Sequence, residues 1–199
     1  MEAHATNTGI DSRKFAMWVV IGSECMLFGA LIINYVIAVN QVIPSDQVDL
    51  IKPVDVINVP LTSLSTFVLL MSSLCMVLCL SAIQEGNIAL FRKWCFSTAF
   101  LGVVFLGFQV FEFTEFYLTG LGFSSNVFGS SFFTLTGTHG AHVVVGVLLL
   151  MTVGIWSYFH ELKPDRHSVV VEVIGLYWHF VDVIWIVIFT LVYLFVLAP

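Results

Sequence analysis

Five apolar stretches, at about 15–39, 59–83, 94–118, 131–159 and 169–197, fill most of this 199-residue sequence, and each reaches the ~20 residues a helix needs to cross a bilayer. Backbone polar groups in hydrocarbon must be satisfied within their own segment, which restricts stretches of this length to helices. The expected fold is an all-α membrane protein, a bundle of five transmembrane helices forming a single domain over residues 1–199. Composition agrees: 59% of residues are hydrophobic and 10% are charged, which excludes an ordinary soluble globule. No basic cluster supports nucleic-acid binding.

The first 14 residues carry Glu2 and Asp11 ahead of Arg13 and Lys14 and lack a small-residue cleavage site before the first stretch. No removable signal peptide is therefore expected, and span one serves as its own insertion signal. Arg13 and Lys14, Arg92 and Lys93, and Lys163 and Arg166 all fall on one side of the five spans, against Lys52 alone on the other. This asymmetry puts the amino terminus in the cytoplasm and the carboxyl terminus outside. The outer loop from Asn40 to Asn58 concentrates the acids Asp46, Asp49 and Asp55. They read as a solvated loop first, and as an attraction for a basic partner second. Cys25, Cys75, Cys79 and Cys95 lie in or beside spans, where thiols act as small apolar residues, so disulfides are not expected. Cys75 and Cys79 share a helix face, yet span two has no His or acid to complete a metal site.

Ionisable residues inside hydrocarbon cost several kcal/mol unless they face protein, water or a partner, which makes them functional candidates. Helical spacing gathers them into stripes. In span five Glu172, Gly175, His179 and Asp182 share a face flanked by Trp178 and Trp185. Span four repeats the spacing with Phe132, Leu135, His139, His142 and Gly146, and Gly137 with Ala141 offers a small surface for close helix approach. Span three contributes Gly102, Phe105, Gln109 and Glu112, with Glu115 one turn beyond. Span one has a single acid, Glu24, and span two only hydroxyls such as Thr62, Ser63, Ser65 and Thr66.

At ~1.5 Å of rise per residue, Glu112 and His139 both lie about 10 Å from the outer face, while Glu24 and His179 lie about 13 Å from the inner one. These depths predict Glu112 paired with His139, and Glu24 paired with His142 or His179. Such pairs read first as hydrogen-bonded locks between helices and second as a proton relay. A relay through Glu24, Glu112, His139, His142, His179 and Asp182 is the basis of an alternative reading, a proton-coupled transporter or channel. A membrane cytochrome is disfavoured: His139 and His142 at i, i+3 on one helix cannot ligate opposite faces of one haem. A di-metal site is disfavoured because the carboxylates lie at scattered depths.

Several motifs resemble one family, subunit III of the haem-copper respiratory oxidases, in its short five-span bacterial form. Phe128-Gly129-Ser130-Ser131-Phe132-Phe133 followed by Thr136-Gly137-Thr138-His139-Gly140-Ala141-His142-Val143 resembles the family's fourth-span signature. Tyr177 through Trp185 resembles its last span, Gln109-Val110-Phe111-Glu112-Phe113 its Gln-x-x-Glu-aromatic element, and Trp18 with Ser23-Glu24 the span carrying its membrane-buried acid. The resemblance covers all five spans in order. It departs at Leu61, where an Asn is expected before Thr62, and at Thr138, where many members have an aromatic.

The resemblance implies an accessory subunit without a redox centre, with haem and copper held by partner subunits, no metal ligands of its own and no catalytic residue. It further implies packing against oxidase subunits I and II and a small subunit IV, in the bacterial inner membrane. Cytochrome c or quinol would be met only through those partners, and cytochrome c oxidase is the expected type. Phospholipid binding, stabilisation of subunit I and support of its proton uptake are also implied. Gln109, Gly137, Gly140, Glu172, Trp178 and Trp185 are then the expected packing and lipid-contact residues.

Overall fold

The first four apolar stretches each lie within one helix, and the fifth begins within another. The computed structural model describes residues 11–42, 59–118, 120, 122–123 and 127–194. These form α1 (Ser12–Val42), α2 (Val59–Gln84), α3 (Ile88–Leu118), α4 (Val127–Phe159) and α5 (Pro164–Phe189), with no strand among the described residues. All five are long and apolar enough to cross a membrane. The loop acids Asp46, Asp49 and Asp55 lie outside the described residues.

Helix α3 starts six residues before its apolar stretch because Asn87 caps it, accepting the Leu90 N–H at 3.1 Å. Arg92 and Lys93 thereby become helical. The turn before it depends on Gly86 at φ 76°. There the Asn87 N–H reaches back to the Ala82 carbonyl at 2.9 Å and closes α2 in a left-handed cap. Pro164 opens α5, where its fixed φ suits the first turn and its missing N–H costs no hydrogen bond. The expected run of span five to 197 is interrupted: α5 passes into a π-helical turn, Thr190–Leu194. That turn buries Val192 and Tyr193 side by side, both at 0% exposure.

Packing makes a ring of four helices with a fifth outside it. Helix α2 packs along α3, α3 along α4, α4 along α5 and α5 back along α2, while α1 lies against α4 and α5. Of the most apolar window of α1 only 6% is buried, against 56% for α5. Helix α1 therefore has one inward stripe, Lys14, Met17, Ile21, Glu24, Phe28, Leu31, Tyr35 and Ala38, at alternating steps of three and four.

Trp178 fills the centre of the ring and is wholly buried. Its indole occupies space that side chains at two glycines would claim: a Cβ at Gly102 would come within 2.6 Å of the ring, and one at Gly146 within 2.7 Å. Its N–H donates to the Ser72 hydroxyl at 3.1 Å. Three helices thus meet on one residue of the fourth. The sequence placed Trp178 and Trp185 beside a polar face that cannot look at lipid, and both are buried in the core. No other described helix of this chain uses the close approach expected at Gly137 and Ala141. Nothing from the neighbouring helices lies within 4 Å of a Cβ built at Gly137, and Ala141 is exposed. A Cβ would meet a side chain of another helix closer than 3.0 Å at Gly102, Gly140 and Gly146.

Candidate functional site

Where α1 meets α4, Glu24 is the only acid on the inward stripe of α1 and faces His142. The His142 Nδ1–H donates to the Thr138 carbonyl one turn back at 2.8 Å, and Nε2 lies 3.2 Å from the Glu24 carboxyl. With Nδ1 committed as donor, Nε2 either accepts a proton from a neutral carboxyl or donates one to a carboxylate. A proton can therefore shift between the two groups without loss of their hydrogen bond. Phe28 seals one side with its ring 5.1 Å from the imidazole of His142. Tyr177 of α5 donates to the His142 carbonyl at 3.0 Å, tying three helices to one residue. This is one of the two partners expected for Glu24.

The other candidate partner, His179, is engaged elsewhere: its Nδ1 shares a 2.6 Å hydrogen bond with the Ser73 hydroxyl. Asp182, one turn further along, is 3% exposed and lies beside Ser73 without a hydrogen bond of good geometry. The expected pair of Glu112 with His139 does not form. Glu112 accepts the Thr62 hydroxyl at 2.8 Å and has the Tyr193 phenol beside it. The His139 Nε2–H donates to the Val181 carbonyl at 3.2 Å, between the rings of Trp185 at 4.8 Å and Phe105 at 5.8 Å. Depth along the membrane matched the two residues, but they point to different neighbours around the ring.

Gln109, Gly140, Trp178 and Trp185 are enclosed between helices. The Gln109 amide donates to the Thr136 carbonyl at 2.6 Å, lying in the space a side chain at Gly140 would take. Trp185 donates to Thr66 at 3.0 Å. Glu172, half-exposed, receives Lys14 at 2.7 Å and closes the end of α1.

Sequence reasoning missed most of the α2 contribution. Each of four hydroxyls on that helix answers one group on another: Thr62 to Glu112, Thr66 to Trp185, Ser72 to Trp178 and Ser73 to His179. Their spacing of four, six and one keeps them near one face, and that pattern was the available signal. Among the described residues no three of His, Cys, Asp and Glu converge as metal ligands would. Glu24 with His142, Glu112 with Thr62 and His179 with Ser73 stand instead as separate pairs, an arrangement suited to holding helices in register and, at Glu24 and His142, to local proton exchange.

A five-helix bundle with paired polar groups between its spans defines a multi-pass membrane protein whose interior is built for helix association. The chain belongs to the cytochrome c oxidase subunit III family, whose model matches residues 1–197. It is 32% identical over 193 residues to cytochrome c oxidase subunit 3 of Bacillus sp. (strain PS3), covering 97% of this chain and 90% of that protein. Cytochrome c oxidase subunit 3 of Thermostichus vulcanus is 36% identical over 92% of this chain and 88% of its own length. Quinol oxidase subunit 3 of Bacillus subtilis (strain 168) is 33% identical over 89% of this chain and 84% of its own. Membership makes this chain a subunit of a haem-copper terminal oxidase that associates with other oxidase subunits.

Proposed function

We propose that this chain is the accessory, non-redox subunit of a proton-pumping oxidase that reduces oxygen to water in a bacterial plasma membrane. The observation that carries this reading is the family match along nearly the whole chain. The polar contacts between the helices support it, because Glu24 with His142, Glu112 with Thr62 and His179 with Ser73 each find a partner within the bundle. In this reading the amino terminus is cytoplasmic, haem and copper reside in the partner subunits, and the chain packs against subunits I and II and a small subunit IV. Glu24 with His142 buffers protons near the uptake side of subunit I, and phospholipid occupies the outer surface of the bundle. Cytochrome c oxidase is the preferred type. A quinol oxidase is the second reading, favoured by relatives of that name at the same level of identity; the donor would enter through other subunits in either case.

The test is purification of the chain from its native membrane. Co-migration with subunits I and II bearing haem and copper is the expected result, and isolation free of both overturns the proposal. Copper ligands in the co-purified subunit II distinguish a cytochrome c oxidase from a quinol oxidase.

A further inference from the structure

At the end of the bundle where α3 begins and α4 stops, a cleft of about 330 Å³ is lined by Ala89, Arg92, Lys93, Phe96 and Tyr158. Spacing places the four α3 residues on one helix face, at steps of three, one and three. Arg92 is fixed by its neighbours: its Nε–H donates to the Ser157 hydroxyl at 2.9 Å, a second N–H donates to the Ser157 carbonyl, and the guanidinium lies 4.1 Å from the Tyr158 ring centroid. Lys93 extends over Trp94 at 5.7 Å. Among the described residues neither cation meets a carboxylate. The ion pairs there join Arg13 to Asp11, Lys14 to Glu172 and His142 to Glu24. Two adjacent cations with no counter-charge among the described residues face a cleft whose other walls are aromatic and aliphatic.

The depth of the cleft decides what it holds. Arg92 and Lys93 stand in the first two turns of α3 and Tyr158 in the last turn of α4, at the border of the apolar stretches. Cations and tyrosines sit there at the level of lipid headgroups. Below them on the same face of α3 follow Phe96, Phe100 and Val103. Phe96 packs over Gly154, where a Cβ would meet its ring at 3.1 Å, while Phe100 and Val103 are 66% and 52% exposed. A ligand that satisfies both parts has an anionic phosphate at one end and hydrocarbon at the other.

We infer that Arg92, Lys93 and Tyr158 form a binding site for the phosphodiester of an anionic phospholipid, its acyl chains running down the Phe96, Phe100 and Val103 face. This deepens the phospholipid part of the proposed function and rests on it. It names a headgroup charge and a place away from Gln109, Gly140, Trp178 and Trp185, which the fold encloses.

The oxidase complex containing the chain, washed of loosely held lipid in detergent, is offered phosphatidylglycerol or phosphatidylcholine, and adducts on this subunit are counted by native mass spectrometry. Preferential retention of phosphatidylglycerol is expected. Lys93→Gln should lower that retention roughly fivefold, the worth of one basic side chain near an anionic surface, and Arg92→Gln should lower it again. Glycerol 3-phosphate and inorganic phosphate are added as soluble competitors. Failure to displace the lipid is expected, and full displacement by either would make the site a phosphate site and overturn the lipid assignment. Equal retention of the two lipids, or no loss in Lys93→Gln, overturns the site. Arg92→Gln removes two hydrogen bonds to Ser157 and can perturb packing; Lys93→Gln touches an exposed side chain and keeps the test decisive. Assembly is scored in the same sample. An intact complex without lipid preference rejects the site alone, whereas a chain that holds phosphatidylglycerol but never meets subunits I and II rejects the oxidase reading alone.

Discussion

At the scale of single residues, the consequences follow from what each side chain touches. Trp178 fills the axis of the ring, so Trp178→Ala leaves a cavity bounded by α2, α3 and α4. Loss of about 3 kcal/mol is expected, the low end for an aromatic truncation because lipid provides no hydrophobic drive toward collapse. Unfolding in mixed micelles of rising dodecyl sulfate content measures it. Gly146→Ala tests the same contact from the other side and should cost about 1–3 kcal/mol, since the indole has no room to withdraw. Glu24→Gln keeps a hydrogen bond to His142 and should unfold as the parent does, whereas Glu24→Leu should lose ~1 kcal/mol. Equal stability of the two variants would show that the pair contributes nothing. Outside the spans, hydrogen bonds from Arg13 hold the Asp11 carboxyl below the usual carboxylate range. A lowered folded-state value means that the contribution is complete above the unfolded-state value and is lost as pH falls through the folded one. Acidification through that window should therefore fray the first turn of α1. Amide exchange at Ser12 to Phe15 should accelerate there, and Asp11→Asn should exchange fast at every pH.

At the scale of elements, α1 is the helix least committed to the bundle. One stripe holds it, anchored by Lys14 with Glu172 at one end and Glu24 with His142 further along. Lys14→Glu should raise protease sensitivity ahead of α1 and the exchange rate of its first turns. The double variant with Glu172→Lys should restore both, an effect of up to about 1 kcal/mol that fades with salt. The sequence predicted five spans, and five helices appear, with the stripes of α3 and α4 buried as spacing implied. It did not show the π turn at Thr190–Leu194, because no residue in that segment forbids an ordinary helix. Nor did it show that α3 begins at Ile88, since hydropathy ends where charge begins while the helix continues to its cap at Asn87.

At the scale of the whole molecule, Glu24 with His142, Glu112 with Thr62 and His179 with Ser73 are separate contacts, and no continuous file of hydrogen bonds crosses the described bundle. Proteoliposomes containing this chain alone should hold a proton gradient as long as empty vesicles do. Rapid leakage would revive the reading as a proton channel. Sequence by itself determined the membrane class, the number of spans, the polar stripes of α3, α4 and α5 and the list of ionisable residues within the spans, because these depend on one-dimensional periodicity and length. It correctly offered His142 as a partner for Glu24, and the family's motifs were legible in it. Tertiary structure alone decided that Glu112 meets Thr62 rather than His139, that Trp178 fills the axis between Gly102 and Gly146, and that α1 stands outside a ring of four. The physical reason is that depth is written along the chain, whereas order around the bundle is not. Lipid and protein interior are equally apolar, so hydropathy cannot tell a helix face turned to a neighbour from one turned to the membrane.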